Sequence, residues 1–169
     1  YVKTDIFTSV YSEVLQQPKW VTYTVQCPNG TAPRTGMDFY SVPGIITSDN
    51  ADYANNIYDK GHCAPAADFN CTKEMLYKTF SYVNCVLQNQ YLNRGVWRLL
   101  EAYERDLAAT TGVTVKIKMV YSNTSVKLPT GATVPDGFYK IITYNNKVEK
   151  YYFPNTKPTS SDFKQYLVK

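Results

Sequence analysis

Phe138-Tyr-Lys-Ile-Ile-Thr-Tyr144, then Asn145-Asn146, then Lys147-Val-Glu-Lys-Tyr-Tyr-Phe153 is the stretch on which the fold turns. Two runs rich in β-branched and aromatic residues flank an asparagine pair. Asparagine tolerates the positive φ that a tight hairpin turn requires, so the stretch predicts two adjacent antiparallel strands. Upstream, Val113-Thr-Val-Lys-Ile-Lys-Met-Val-Tyr121 alternates apolar and polar without a break, as a half-buried strand does. Trp20-Val-Thr-Tyr-Thr-Val25, after Pro18, repeats that pattern.

Between these strands the period changes. Residues 93–109 form the clearest helix, with Val96, Leu99, Leu100, Tyr103 and Leu107 on one apolar stripe. Residues 72–82 read as a short helix, and a further short one starts at Asp162. Residues 1–17 are mixed, with Val10, Val14 and Leu15 at helix-like spacing. Residues 26–60 carry Pro28, Gly30, Pro33, Gly36, Pro43 and Gly44, which predicts irregular structure with at most a short strand at Ile45–Ile46. No repeat, charge block or linker divides the chain. The expectation is one α+β domain over residues 1–169 with a mainly antiparallel sheet flanked by helices.

The 169 residues are 44% hydrophobic and 19% charged, a balance that excludes disorder. No apolar stretch approaches the roughly 20 residues needed to cross a bilayer, and no membrane contact is expected. Net charge is +4 with a pI near 8.8, which permits a polyanionic partner without demanding one. The only histidine, His62, rules out imidazole-rich metal centres. Four cysteines, Cys27, Cys63, Cys71 and Cys85, contain no C-x2-C pair and so match no zinc spacing. They are read either as small buried packing or as a disulfide, such as Cys63 to Cys71 or Cys27 to Cys85, fixing the site in an oxidising compartment. The sequons at Asn29, Asn70 and Asn123 add little, since about two such triplets arise by chance in this composition. The first residue is Tyr, so an N-terminal segment is expected to have been removed, and any targeting signal with it. Localisation stays open; a secreted, organellar or periplasmic compartment fits the cysteines best.

Two segments carry the chemistry. In Tyr58-Asp-Lys-Gly-His62-Cys-Ala-Pro65-Ala-Ala-Asp68 a glycine precedes the lone histidine, where it would let the backbone approach a ligand. By itself such a histidine more often satisfies a core hydrogen bond. In Asn84-Cys-Val-Leu-Gln88-Asn-Gln-Tyr-Leu-Asn93-Arg-Gly-Val-Trp97-Arg-Leu-Leu-Glu101-Ala-Tyr-Glu-Arg105, a continuous helix would place Asn93, Glu101 and Arg105 along one flank, because eight and twelve residues advance only about 80° and 120° past full turns. An amide oxygen and a carboxylate are the hard donors that Mg2+ prefers. The bland reading is a solvated helix flank.

Taken as an ordered pair, these segments resemble the DNA/RNA non-specific endonuclease family, as does Pro129–Lys140, and the resemblance spans about Trp20 to Phe153. It implies the ββα-metal (His-Me finger) fold and a Mg2+-dependent endonuclease, with Mn2+ or another divalent cation able to substitute, acting on DNA and RNA with little sequence preference. It implies His62 as general base, Asn93 as metal ligand, Glu101 as holder of metal-bound waters, and Arg105 as the cation facing the charge that builds on phosphorus. Asn84 falls where a loop asparagine orients the base; Arg34 and Lys60 fall at phosphate-contacting positions. The products implied are a 5′-phosphate and a 3′-hydroxyl, and a homodimer is compatible with the family. Two departures matter. Lys60 stands where arginine is usual, losing the planar fork, and Leu87 stands where many members have proline. The alternatives are a non-catalytic nucleic-acid-binding module that keeps the fold, and a hydrolase using Cys63 or a serine; for the latter there is no G-x-S-x-G elbow.

Overall fold

The computed structural model describes residues 1–169. In chain order the elements are β1 (Val2–Lys3), β2 (Phe7–Ser12), β3 (Gln17–Thr24), β4 (Tyr58–His62), α1 (Lys73–Lys78), β5 (Cys85–Asn89), α2 (Gln90–Arg94), α3 (Val96–Ala108), β6 (Thr114–Val120), β7 (Gly137–Tyr144) and β8 (Lys147–Pro154), with short 3-10 turns between several of them. Six strands form one sheet in the order β1-β2-β3-β6-β7-β8, every neighbouring pair antiparallel. β4 and β5 form a separate antiparallel pair.

The hairpin is as the sequence predicts: Tyr144 pairs with Lys147, and Asn145 and Asn146 take φ of 45° and 60°. β6 buries Val115, Ile117 and Met119 and turns Lys116 and Lys118 outward. The inner face of the sheet packs on α3 through Val96, Trp97 and Leu100, with Phe138, Ile142 and Phe153 opposite. This apolar contact holds α3, and therefore the groups on its flank, in fixed register against the sheet.

Five expectations need correction. Residues 7–12 are a strand, not helical: Phe7 and Ser9 point inward, and Ser9 satisfies its buried hydroxyl on the Val83 carbonyl at 2.7 Å. No strand forms at Ile45–Ile46. The predicted helix 93–109 is broken at Gly95 (φ −107°, ψ −117°), which ends α2 and starts α3. A Cβ there would lie 2.6 Å from the Tyr91 carbonyl oxygen. On the apolar stripe, Leu99 is exposed and Trp97 takes its place in the core. Neither disulfide named above forms: Cys27 is bonded to Cys71 with Cα atoms 5.5 Å apart, and Cys63 and Cys85 are free and buried.

The two-stranded pair has no further strand to satisfy β5. Side chains do it instead. Gln17 Oε1 accepts from Leu87 N–H at 2.8 Å, and Asn155 accepts from Asn89 N–H at 2.7 Å while donating to the Leu87 carbonyl at 2.9 Å. Buried backbone groups must be paired, and proline at position 87 could not make the first of these bonds. At the opposite margin of the large sheet the C-terminal segment returns along β8: Val168 N–H donates to the Lys150 carbonyl at 2.8 Å, and Tyr166 stacks on Phe153 at 4.5 Å.

Candidate active site

His62 ends β4 and faces α2 and α3 across a cavity of about 450 Å3. The cavity is lined by Arg34, Lys60, His62, Asn93, Arg94, Arg98, Glu101 and Arg105, floored by Pro65, Ala66 and Ala67. Five cations therefore surround one carboxylate. The structure brings six sequence-predicted site residues, His62, Asn93, Glu101, Arg105, Arg34 and Lys60, to this one space. The seventh, Asn84, is fully buried behind it.

Asn84 is a clamp. Its amide donates to the Ala64 and Thr79 carbonyls at 3.0 and 2.9 Å and accepts from Ala64 N–H at 2.8 Å, while its own carbonyl accepts from Cys63 N–H at 2.9 Å. The backbone immediately after His62 is thereby fixed. Gly61 also acts away from the cavity: a Cβ there would sit 2.6 Å from Gln88 Oε1, so its bare backbone makes room for a buried glutamine instead of a ligand.

The His62 ring lies 4.7 Å from the Phe39 ring and 4.6 Å, edge-on, from Phe80. Its Nε2 is buried without a hydrogen-bond partner. A neutral imidazole keeps a lone pair on one of its two nitrogens, which is what a proton acceptor requires. Burial, and after it the nearby Arg34 charge, pulls the His62 pKa down to about 3. Arg34 itself rests over Phe80 at 5.2 Å. The imidazole is neutral throughout the physiological range.

Asn93 is oriented by Asp59, whose Oδ2 accepts from Nδ2 at 2.9 Å. An ionised carboxylate only accepts, so the amide's NH2 must face it, leaving Oδ1 as a free lone-pair donor. Asp59 also takes Arg94 in a fork, with bonds of 2.9 and 2.7 Å. Glu101 lies one helix segment further on. Burial raises its pKa to about 7, against the pull of Lys140 and Arg105. An amide oxygen and a carboxylate on one wall, with a single imidazole across the cavity and no cysteine lining it, are a hard-donor set that suits a divalent cation of the Mg2+ or Mn2+ type better than zinc.

Arg105 is held from behind by Asp68, Nη1 donating to Oδ1 at 2.9 Å. Behind that lies a buried polar cluster: Glu104 is ion-paired with Lys140, both fully buried, and accepts from the Tyr23 hydroxyl at 2.6 Å. Burial and the adjacent Glu104 carboxylate push the Asp68 pKa well above its ordinary value. Lys60 reaches Asn50 and, at 3.3 Å, Asp38.

The sequence reading gave no role to Asp59, Arg94, Arg98 and Asp68, although all four lie within the two segments quoted for the chemistry. Arg98 carried a positional signal as well: it stands three residues before Glu101 and so on the same helix edge. No carboxylate is bonded to it; its Nε donates to the Arg94 carbonyl at 3.2 Å.

The antiparallel pair β4-β5 followed by α2-α3, with histidine at the end of the first strand and asparagine on the helical segment, is the ββα-metal architecture, here within an α+β fold. The solved EndoG/EndoGI complex contains a chain that matches 99% of this one with a TM-score of 0.87 at 25% identity, over 79% of that chain. The chain belongs to the DNA/RNA non-specific endonuclease family, whose model matches residues 3–169. It is 34% identical over 102 residues to the mitochondrial nuclease EXOG of Danio rerio, covering 57% of this chain and 30% of that one. It is 37% identical over 106 residues to nuclease C1 of Cunninghamella echinulata var. echinulata, covering 62% and 38%. Mitochondrial endonuclease G of Bos taurus is 34% identical over 84 residues, 48% and 28% of the two chains. The chain thus spans about 30% of the length of the EXOG protein it matches.

Proposed function

We propose that residues 1–169 act as one nuclease domain that hydrolyses phosphodiester bonds of DNA and RNA with little sequence preference. The observation that carries this reading is a neutral imidazole facing an asparagine oxygen across a cavity rimmed by five cations. Phosphate is what such a cavity attracts, and phosphate contacts carry no sequence information. Family membership supports the same activity.

In this reading His62 takes a proton from a water, whose oxygen attacks phosphorus in line. The bond from phosphorus to the 3′ oxygen breaks, its electron pair leaves with that oxygen, and solvent protonates it. A 5′-phosphate and a 3′-hydroxyl result. Arrival of the anionic phosphate beside Arg34 offsets the smaller of the two effects that depress His62, burial being the larger, and so raises the basicity of the imidazole. Arg105, aimed by Asp68, faces the charge accumulating on the phosphoryl oxygens. Asn93 Oδ1 and Glu101, the latter through water, would hold Mg2+ or a substitute such as Mn2+. When bound, that cation supplies Lewis-acid stabilisation of the leaving oxygen. Arg34 and Lys60 contact phosphate, and Asn84 keeps the base in place.

The test is digestion of plasmid, single-stranded DNA and RNA side by side, with and without EDTA, followed by end analysis of the products. His62→Ala should abolish cleavage while leaving the circular dichroism spectrum unchanged. Full activity in that variant overturns the assignment of the base; binding without cleavage by the parent at millimolar Mg2+ and Mn2+ identifies a non-catalytic module instead.

A further inference from the structure

The outer face of the six-stranded sheet, on the side away from α3 and the cavity, carries a second pattern. Register aligns Trp20, Lys118, Tyr139 and Tyr152 in one row across β3, β6, β7 and β8. The neighbouring row holds Lys116 and Lys150. Each of these two lysines covers a ring of the first row: Lys116 Nζ lies 4.6 Å from the Trp20 centroid and Lys150 Nζ 4.5 Å from that of Tyr139. Tyr139 and Tyr152 are themselves 4.8 Å apart. A groove of about 450 Å3 opens between Trp20, Lys118 and Tyr139. Along the paired strands no aspartate or glutamate points to this side; Glu149 of β8 points inward, bonded to the tyrosine hydroxyls there.

We propose that this face binds single-stranded nucleic acid at a site separate from the cleft. The chemistry selects that occupant. Aromatic rings on an exposed sheet offer stacking sites that accept any base. Trp20 and Tyr139 are two strands apart, about 10 Å, with the Lys118 ammonium between them to meet the intervening phosphate. A second copy of the chain is disfavoured, because pairing this face with itself would set lysine against lysine with no carboxylate to answer it. The functional consequence is a surface that retains a strand while the cleft on the other side of the sheet acts on it. The site requires no catalysis, so it stands or falls separately from the reading of the cleft.

Trp97 is sealed in the core at 1% exposure, so of the chain's two tryptophans only Trp20 can report on this surface. The experiment uses the His62→Ala protein in EDTA, so that the probe, a twelve-residue oligothymidylate, stays intact. We expect saturable quenching of tryptophan fluorescence. Replacing Lys116, Lys118 and Lys150 together by Gln should weaken this binding about tenfold or more at low salt and flatten the slope of log K against log[salt] by about 2, from about 0.7 per phosphate neutralised. Tyr139→Thr, which keeps a strand former, should weaken binding with the slope unchanged. Circular dichroism checks that both variants fold, and loss of metal-dependent cleavage in the parent would not alter these outcomes. Absence of quenching overturns the proposal. So does equal quenching by polyphosphate, which has no bases, a response to anionic lipid vesicles but not to the oligonucleotide, or a sedimenting dimer in which Trp20 is shielded.

Discussion

Asp59 on β4 and Asn93 on α2 are joined by a 2.9 Å bond in which the amide donates to the carboxylate. The same carboxylate forks Arg94. One residue therefore sets both the rotamer of the amide oxygen and the position of a cavity cation.

If Asn93 holds a divalent cation as proposed, removing that carboxylate should loosen cation binding more than it slows the chemistry. For Asp59→Ala, the divalent-cation concentration giving half-maximal cleavage should rise about 10- to 100-fold, the usual effect of deleting a group that orients a ligand. Asp59→Asn should recover part of the loss. A metal titration that superimposes on the parent's would refute the role.

His62 should make the fold acid-sensitive. Its pKa falls from 6.5 to about 3 on folding, so the unfolded chain takes up a proton that the native state refuses. The stability this group contributes is complete above about pH 6.5 and is lost as pH drops towards 3, by up to about 1.4 kcal/mol per pH unit. His62→Gln lacks this contribution. Thermal melts from pH 7 to 4 should show the parent losing stability faster than the variant; a constant offset between the two would contradict the shift.

The Lys140–Glu104 pair should behave as a buried couple in which each partner exists for the other. Lys140→Met leaves an uncompensated carboxylate and should cost about 3–5 kcal/mol in urea unfolding. Adding Glu104→Gln should restore part of this, so that the double variant is more stable than the sum of single effects predicts. Strict additivity would show that the pair does not interact.

The single disulfide should account for two of the four thiols. Alkylation after denaturation without reductant should label two cysteines, Cys63 and Cys85, and neither in the native state, where both are buried and their pKa values are pushed up by burial. Cys27→Ser should lower stability by about 2–4 kcal/mol, the range for closing a loop of this size. Four labelled cysteines would rule the bond out.

What could be read in advance was whatever local chemistry alone decides. The Asn145-Asn146 turn and the alternation of β6 are properties of a few adjacent residues, and both stand as read. β4 could not be read because its polar run Asp59-Lys60 and its His62 serve the cavity while Gly61 yields space to Gln88, so the strand carries no apolar period. β5 is buried on both faces and therefore does not alternate. The residues that gather at the cavity were picked out through the resemblance of two ordered segments to a known family. Their supports, Asp59 and Asp68, lie 34 and 37 residues from the groups they hold, a relation that only the folded chain creates. The same holds for Cys27 and Cys71, brought together across 44 residues.

The C-terminal segment that returns along β8 has a consequence for solution behaviour. β8 is the last strand of the sheet, and an uncovered last strand offers a row of free amide and carbonyl groups on which another chain can template itself. Val168 and the Tyr166–Phe153 stack occupy part of that row. Clipping the chain after Pro158 would bare it while leaving the cavity residues in place, and would expose an edge on which copies of the chain can pair strand to strand.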